Sequence, residues 1–81
     1  MDRWLLYQRD DCQLCDQALA VLARAHAPAF ASVWLDDVPV LQARYGVRVP
    51  VLRDAREGRE LDWPFDEAAV RAFVGAAQVP R

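Results

Sequence analysis

The sequence predicts an α/β protein in which a mixed four-stranded sheet carries helices on both faces, in the order β-α-β-α-β-β-α. Strand-length apolar runs alternate with segments of helical periodicity, and two short strands and a helix complete the chain. The opening strand–helix–strand unit implies a parallel pair with a right-handed crossover. The short connection between the last two strands implies an antiparallel hairpin, so the sheet is mixed.

Length and charge limit what the protein can do. Its 81 residues suffice for one domain, residues 1–81, with one core. Ten basic and twelve acidic residues give a net charge of −2, which argues against a nucleic-acid partner because such proteins usually present a basic face. The apolar run at residues 4–7 is too short for a signal peptide, and no run is long enough for a membrane span. We therefore expect a soluble cytoplasmic protein without a membrane partner. Nothing in the sequence requires a dimer, so we expect a monomer.

The first strand is predicted over residues 3–8, a run apolar enough to be buried on both faces. Asp11 is the predicted N-cap of the next helix, because its carboxylate can accept the free amides of the first turn. Pro28 is predicted to end that helix, since the residue before a proline disfavours the helical conformation. The helical spacing is carried by Leu14, Ala18, Leu22 and Ala25.

The second strand is predicted over residues 30–35. Asp36 and Asp37 offer an N-cap for a short helix over residues 38–45. Gly46 follows that helix directly, so we expect it to end the helix in the left-handed conformation.

The third and fourth strands are predicted over residues 49–53 and 59–63, with a turn at residues 54–58. Leu61 and Trp63 alternate with polar residues and therefore share one face of the sheet.

The last helix is predicted to begin after Asp66, whose carboxylate caps it. Phe65 lies before this cap and Val70 four residues after it, a spacing that allows the two side chains to pack together as a hydrophobic staple.

Cys12 and Cys15 lie at the junction of the first strand and the first helix. The free amides and dipole of a helix N-terminus stabilise a thiolate, and cysteines there have a pKa lowered from about 8.5 to roughly 3.5–7.5. A spacing of three residues puts both sulfurs on one helical face, within reach of a disulfide. We predict that Cys12, nearer the helix tip, attacks a disulfide and that Cys15 resolves the mixed disulfide.

Two other interpretations of the pair stay open. A structural zinc ion takes four Cys or His ligands, whereas this chain holds two cysteines and one histidine, His26, about three turns away. Only a dimer would complete a Cys₄ site, so we predict no metal ligand in the single chain. Alternatively both thiols are inert, since free cysteine is often a buried core residue.

Two motifs carry a resemblance to a known family. Residues 6–15 read Leu-Tyr-X-Arg-X-X-Cys-X-X-Cys, with Arg9 three positions before the first cysteine, and residues 45–52 read Tyr-Gly-Val-Arg-Val-Pro-Val-Leu. Over nearly its whole length the chain resembles the glutaredoxin branch of the thioredoxin fold. It is most similar to the small bacterial glutaredoxin-like proteins of uncharacterised function.

The resemblance implies a thioredoxin fold, glutathione as a co-substrate and no bound cofactor. It also implies a cis bond between Val49 and Pro50, with the backbone of Val49 binding an extended substrate as an added strand would. The predicted substrate-binding residues are Arg9, Gln13, Leu14, Arg48, Val49, Pro50 and Asp66.

The chain departs from the family pattern in three places. The common Cys-Pro-Tyr-Cys is here Cys-Gln-Leu-Cys, so an aromatic contact is missing. The Gly-Gly and acidic pair that bind the γ-glutamyl end of glutathione are replaced by residues 61–66, where Asp66 would substitute only in part. Asp10 and Asp11 add negative charge that opposes thiolate formation and repels the carboxylates of glutathione.

Arginine and tryptophan side chains offer further candidates. Arg48 is interpreted either as a cationic clamp for a substrate carboxylate or as a solvated loop residue. Trp4, Trp34 and Trp63 occupy strand positions, where we expect core or sheet-face residues.

The leading hypothesis is a thiol–disulfide oxidoreductase that exchanges a Cys12–Cys15 dithiol with glutathione mixed disulfides or a protein disulfide. The alternatives are a non-catalytic thioredoxin-fold module that binds a partner protein across Val49 and Pro50, and a dimeric metal-binding protein.

Overall fold

The computed structural model describes residues 2–78, with side chains described as far as residue 75. The ends of the predicted domain, residue 1 and residues 79–81, lie outside this part. The element order within it is the predicted one. The elements are β1 Trp4–Gln8, α1 Gln13–Arg24, β2 Phe30–Trp34, α2 Pro39–Tyr45, β3 Val51–Asp54, β4 Arg59–Asp62 and α3 Glu67–Gln78.

The strands form one sheet in the order β2-β1-β3-β4. β1 pairs in parallel with β2 and antiparallel with β3, and β3 pairs antiparallel with β4. The predicted mixed four-stranded sheet is therefore confirmed. Because β1 is central and β2 lies at an edge, the cysteine pair that follows β1 sits at the middle of one end of the sheet.

Helices cover both faces of the sheet, as predicted. Successive side chains of a strand point to opposite faces. Leu6 and Leu52 therefore lie in one hydrophobic cluster with buried residues of α1 and α3, while Tyr7 and Val51 lie in another with Tyr45 of α2. No helix among residues 2–78 is long and apolar enough to cross a membrane.

Helix α1 is capped by Cys12 and not by Asp11, so that prediction was wrong. An N-cap residue needs an extended backbone. Asp11 has a left-handed φ of 53°, whereas Cys12 has φ −111° and ψ 98° and its Sγ accepts the Cys15 N–H at 3.1 Å. The sulfur of the first cysteine therefore takes the capping position.

Helix α1 also ends before Pro28 can act on it. Its last residue is Arg24, and the chain turns at His26, which has a left-handed φ of 55°. The Ala27 N–H then donates to the Leu22 carbonyl at 3.0 Å, which closes the turn.

The predicted cap of α2 was also wrong. Helix α2 has Val38 at its N-cap without a side-chain hydrogen bond. Asp37 has a left-handed φ of 68°, and Asp36 Oδ2 accepts the Asp10 N–H at 3.0 Å. The carboxylate of Asp36 therefore links the segment before α2 to the loop before Cys12 by a hydrogen bond.

Gly46 ends α2 in the right-handed conformation, with φ −55° and ψ −37°, and not in the left-handed one that we predicted. Position 46 is a glycine because there is no room for a side chain. A Cβ atom there would lie 2.5 Å from the carbonyl oxygen of Gln42.

The hairpin strands are shorter than predicted. β3 begins at Val51, because Pro50 has no N–H to donate to a ladder. β4 ends at Asp62, although the Trp63 N–H still donates to the Pro50 carbonyl at 3.1 Å. The Val49–Pro50 and Trp63–Pro64 peptide bonds are both cis.

Helix α3 begins as predicted. The Ala69 N–H donates to Asp66 Oδ1 at 2.8 Å, so Asp66 caps the helix. Phe65 and Val70 are both buried in the same core cluster, as the staple requires.

The opposite end of the sheet from the cysteines holds a buried carboxylate. Asp54 is fully buried and accepts hydrogen bonds from Arg3 at 2.9 and 3.0 Å and from the backbone of the β3–β4 turn. The Arg3 bond, aided by those amides, outweighs burial and lowers the pKa of Asp54 to about 2. This charge stabilises the fold and lies far from the cysteine pair.

Candidate functional site

Cys12 and Cys15 form a disulfide at the N-terminus of α1, with their Cα atoms 5.2 Å apart. The two sulfurs have different surroundings. Cys15 is 2% exposed and packs with Tyr7 and Val49, whereas Cys12 is only partly buried. Solvent and partners therefore reach this disulfide from the Cys12 side.

A pocket of about 440 Å³ opens beside the disulfide. We call it the cysteine pocket. It is lined by Gln8, Arg9, Asp10, Asp11, Cys12, Gln13, Cys15, Asp16 and Trp34. Two of the predicted substrate-binding residues, Arg9 and Gln13, thus lie in its wall, and Leu14 is 45% exposed between the cysteines.

Trp34 is a member of this site that we did not predict. Its side chain is 50% exposed, although we expected a core or sheet-face role. Trp34 lies opposite Gln8 at the end of the β1–β2 ladder. The signal was available in the alternation of β2, since Trp34 shares a face with the polar Ser32, which is also exposed.

Val49 lies in the same hydrophobic cluster as Cys15, on the loop between α2 and β3. Its backbone N–H already donates to the carbonyl of Tyr45 at 3.0 Å. The predicted strand-like pairing of a substrate with Val49 can therefore use only the Val49 carbonyl oxygen. Pro50, the next residue, is also buried.

Arg48 pairs with carboxylates of the protein itself. Its Nε and Nη2 atoms donate to Asp62 at 3.0 and 2.7 Å, and Nη2 also donates to Glu60 at 2.7 Å. A substrate carboxylate would compete with two resident ones for this guanidinium. The clamp stays a prediction, while the observed contacts anchor the loop before Val49 to β4.

Glu60 is the centre of that anchor. It accepts hydrogen bonds from Tyr45, Arg48 and Arg53, and we call these four residues the Glu60 network. Burial alone raises the pKa of Glu60, but the hydrogen bonds from Tyr45 and the two arginines outweigh it and hold the pKa at about 2. The carboxylate is therefore charged throughout the physiological range.

Tyr45 connects the Glu60 network to the cluster around Cys15. Its ring stacks on that of Tyr7 with centroids 4.2 Å apart. Burial, and then its hydrogen bond to Glu60, raise the pKa of Tyr45 to about 12. The phenol thus stays neutral and acts as a hydrogen-bond donor behind the disulfide.

The remaining candidate, Asp66, caps α3 and does not line the cysteine pocket. Among the described residues, no group of three or more His, Cys, Asp or Glu side chains is placed to hold a metal ion. Within the described chain, the structure therefore offers no candidate metal centre at the cysteine pair.

Comparisons with known proteins agree with this geometry. Residues 3–75 match the family model described as Glutaredoxin-like domain (DUF836). No curated protein matches the chain significantly.

Two solved structures of the Northeast Structural Genomics target protein XcR50 from X. campestris are similar to this chain. The X-ray structure is 58% identical with a TM-score of 0.87, covering 95% of this chain and 99% of that one. The solution structure is 57% identical with a TM-score of 0.86, covering 100% and 99%. The solution structure of protein Ne2328 from Nitrosomonas europaea is 26% identical with a TM-score of 0.75, covering 90% and 91%.

The family model spans nearly the whole described chain, including the cysteine pair and the strand after Pro50. The fold and this match agree with the resemblance noted in the sequence, and the chain therefore belongs to the glutaredoxin-like (DUF836) family.

Proposed function

We propose that this protein is a thiol–disulfide oxidoreductase in which Cys12 is the nucleophile and Cys15 the resolving thiol. The observation that carries the proposal is the unequal exposure of the two sulfurs. Both cysteines line the cysteine pocket, but Cys12 is partly exposed, whereas Cys15 is only 2% exposed. An attacking thiolate must be accessible, whereas a resolving thiol needs only to reach its partner.

The local hydrogen bonding also supports Cys12 as the nucleophile. The Cys15 N–H points at Cys12 Sγ, and after reduction the same N–H would stabilise a Cys12 thiolate at the helix N-terminus. Asp10 and Asp11 oppose this effect by like charge, but both are exposed and therefore screened by solvent. We expect a Cys12 pKa modestly below the usual 8.5 or so.

The proposed substrates are glutathione mixed disulfides or a protein disulfide. Arg9 and Gln13 in the pocket wall, and the exposed Leu14 between the cysteines, would contact the substrate beside Cys12. The Val49 carbonyl would receive an extended segment. No bound cofactor is needed, because the dithiol itself carries two electrons. We propose a monomer working in a reducing compartment such as the cytoplasm, where the dithiol would be regenerated.

The proposal is tested with dithiothreitol as the reductant and a disulfide-bonded protein as the substrate. The wild type should accelerate release of substrate thiols, and Cys12→Ser should abolish the acceleration. Cys15→Ser that has been reduced and then freed of dithiothreitol should stop at a mixed disulfide on Cys12, because no other thiol is present to resolve it. A wild type no faster than Cys12→Ser would overturn the proposal. Near-ultraviolet circular dichroism of each reduced variant controls for folding.

A further inference from the structure

We infer that the preferred substrates of the cysteine pocket are cationic: disulfides in protein segments that carry Lys or Arg beside the bond. This inference rests on the proposed function and names its substrate class. The recognising groups are the carboxylates of Asp10, Asp11 and Asp16 and the ring of Trp34.

The wall of the cysteine pocket is acidic. Three carboxylates, Asp10, Asp11 and Asp16, face one guanidinium, that of Arg9, so the wall carries a net charge of −2. All four side chains are exposed. Among the residues whose side chains the structure describes, none of these carboxylates forms an ion pair. Their charge is therefore available to a partner.

The wall of the cysteine pocket also contains an aromatic ring, that of Trp34. Trp34 is half exposed beside the carboxylates. The cation–π contacts seen between arginines and rings of the described chain use Trp4, Tyr45 and Phe73, and not Trp34. A tryptophan face is the best aromatic acceptor for a Lys or Arg side chain. An open tryptophan next to carboxylates that form no ion pair with the described side chains therefore favours a cationic segment.

The same features disfavour glutathione. Glutathione carries two carboxylates and one ammonium group, so it enters an acidic pocket against like charge. Arg48, the cation that would have held a substrate carboxylate, is already bonded to Glu60 and Asp62. A segment with two basic side chains instead complements the net charge of the wall.

The redox step balances without a further reagent once the protein is reduced. The Cys12 thiolate attacks one sulfur of the substrate disulfide, which forms a mixed disulfide and releases the other sulfur as a thiolate that takes a proton from water. Cys15 then loses its proton and attacks Cys12 Sγ, which forms the Cys12–Cys15 bond and releases the second substrate thiol. Two electrons pass to the substrate, and a dithiol reductant restores the protein.

Three peptides of equal length test the inference, each closed by one disulfide and flanked by Lys and Arg, by Ser, or by Glu. The rate constant for each with reduced wild type is divided by that for dithiothreitol, which removes the intrinsic reactivity of the peptide. We expect the basic peptide to react about tenfold faster than the acidic one at low salt, since steering by charged clefts raises association rates by about 10-fold or more. The preference should shrink at 1 M salt, where the Debye length is about 3 Å.

Two charge-matched triple variants locate the effect. Asp10→Asn/Asp11→Asn/Asp16→Asn should bring the ratio of the basic-peptide rate to the acidic-peptide rate close to one. Because this ratio is taken within one variant, it is independent of any change in the reactivity of the Cys12 thiolate. The control Asp2→Asn/Glu57→Gln/Glu67→Gln also removes three negative charges, but at positions outside the pocket. This control should keep the preference for the basic peptide. Trp34→Leu should lower the rate with the basic peptide more than with the Ser peptide.

The outcomes separate the two proposals. Equal normalised rates for the basic and acidic peptides at low salt, or a preference that survives the pocket triple variant, would overturn the inference while leaving the oxidoreductase in place. A wild type that reduces none of the peptides and no protein disulfide would overturn the proposed function itself.

Discussion

Replacing Glu60 by Gln tests whether the Glu60 network stabilises the loop behind the disulfide. The Glu60 side chain is only 16% exposed. Its carboxylate oxygens lie 2.7 Å from Arg48 Nη2 and 2.6 Å from Arg53 Nη1. Its pKa falls from 4.5 to about 2 in the folded protein. That fall corresponds to about 3 kcal/mol of folding free energy at neutral pH. Because the glutamine oxygen keeps part of the hydrogen bonding, we expect Glu60→Gln to cost about 2 kcal/mol.

The pH dependence of that cost follows from the direction of the pKa change. A carboxyl whose folded pKa is lowered stabilises the protein above its unfolded pKa, and the stabilisation is lost as pH falls toward the folded value. The gap in unfolding free energy between wild type and Glu60→Gln should therefore be full above about pH 5 and shrink toward pH 2. Asp54 titrates in the same range, but it does so in both proteins and cancels in the difference.

Urea unfolding of the oxidised proteins, followed by circular dichroism at several pH values, measures this gap. Glu57→Gln is the matched control, since Glu57 is exposed in the β3–β4 turn, and it should change stability by no more than about 0.5 kcal/mol. A cost for Glu60→Gln below about 1 kcal/mol at pH 7 would refute the reasoning. So would a cost that stays constant down to pH 2.

Three further predictions concern the caps and the nucleophile. Asp66→Ala should lower the free energy of unfolding by about 1 kcal/mol in thermal unfolding, because it removes the cap of α3. The same variant should react with glutathione disulfide as the wild type does. A selective loss of that reaction would instead assign Asp66 to substrate binding. Gly46→Ala should cost about 1–3 kcal/mol in urea unfolding, since its Cβ would press on the Gln42 carbonyl, and a neutral result would show that the α2 end yields easily. The alkylation rate of Cys12 in reduced Cys15→Ser should rise with a midpoint below pH 8.5 or so, and a midpoint above that value would show that the nearby carboxylates outweigh the helix terminus.

The element order and the place of the cysteine pair could be predicted because both depend on local patterns. Apolar runs and helical spacing mark the strands and helices, and the two cysteines follow the first strand directly. The N-cap of α1 could not be predicted from the sequence, because a carboxylate such as that of Asp11 is a more common capping group than a cysteine sulfur. Asp11 has a left-handed backbone and therefore cannot be the N-cap, so Cys12, whose backbone is extended, takes that role.

The Glu60 network shows where sequence reasoning reaches its limit. Arg53 and Glu60 face each other across the hairpin. The predicted turn at residues 54–58 would instead place Arg53 opposite Arg59, and the observed extension of β3 to Asp54 sets the actual register. The contacts of Glu60 with Tyr45 and Arg48 depend on how the end of α2 meets β4. No local pattern specifies this contact, so the sequence leaves Arg48 as either a substrate clamp or a solvated loop residue, and neither interpretation includes its hydrogen bonds to Glu60 and Asp62.

The Val49 loop illustrates the same limit at the site itself. The resemblance to glutaredoxins implied a free backbone at Val49 for an extended substrate. The structure instead bonds the Val49 N–H to the end of α2, because Tyr45 is the last helical residue and its carbonyl has no partner within the helix. That the Val49 N–H is already bonded follows only from the three-dimensional position of the C-terminal end of α2.

The most direct test of the account is the intact mass of reduced wild type and reduced Cys15→Ser after exposure to a basic peptide disulfide. We predict that the wild type closes its internal disulfide and carries no adduct, while Cys15→Ser retains one peptide on Cys12. If neither protein changes mass, or if the adduct of a Cys12→Ser variant on Cys15 forms equally fast, Cys12 is not the nucleophile and the central claim is contradicted.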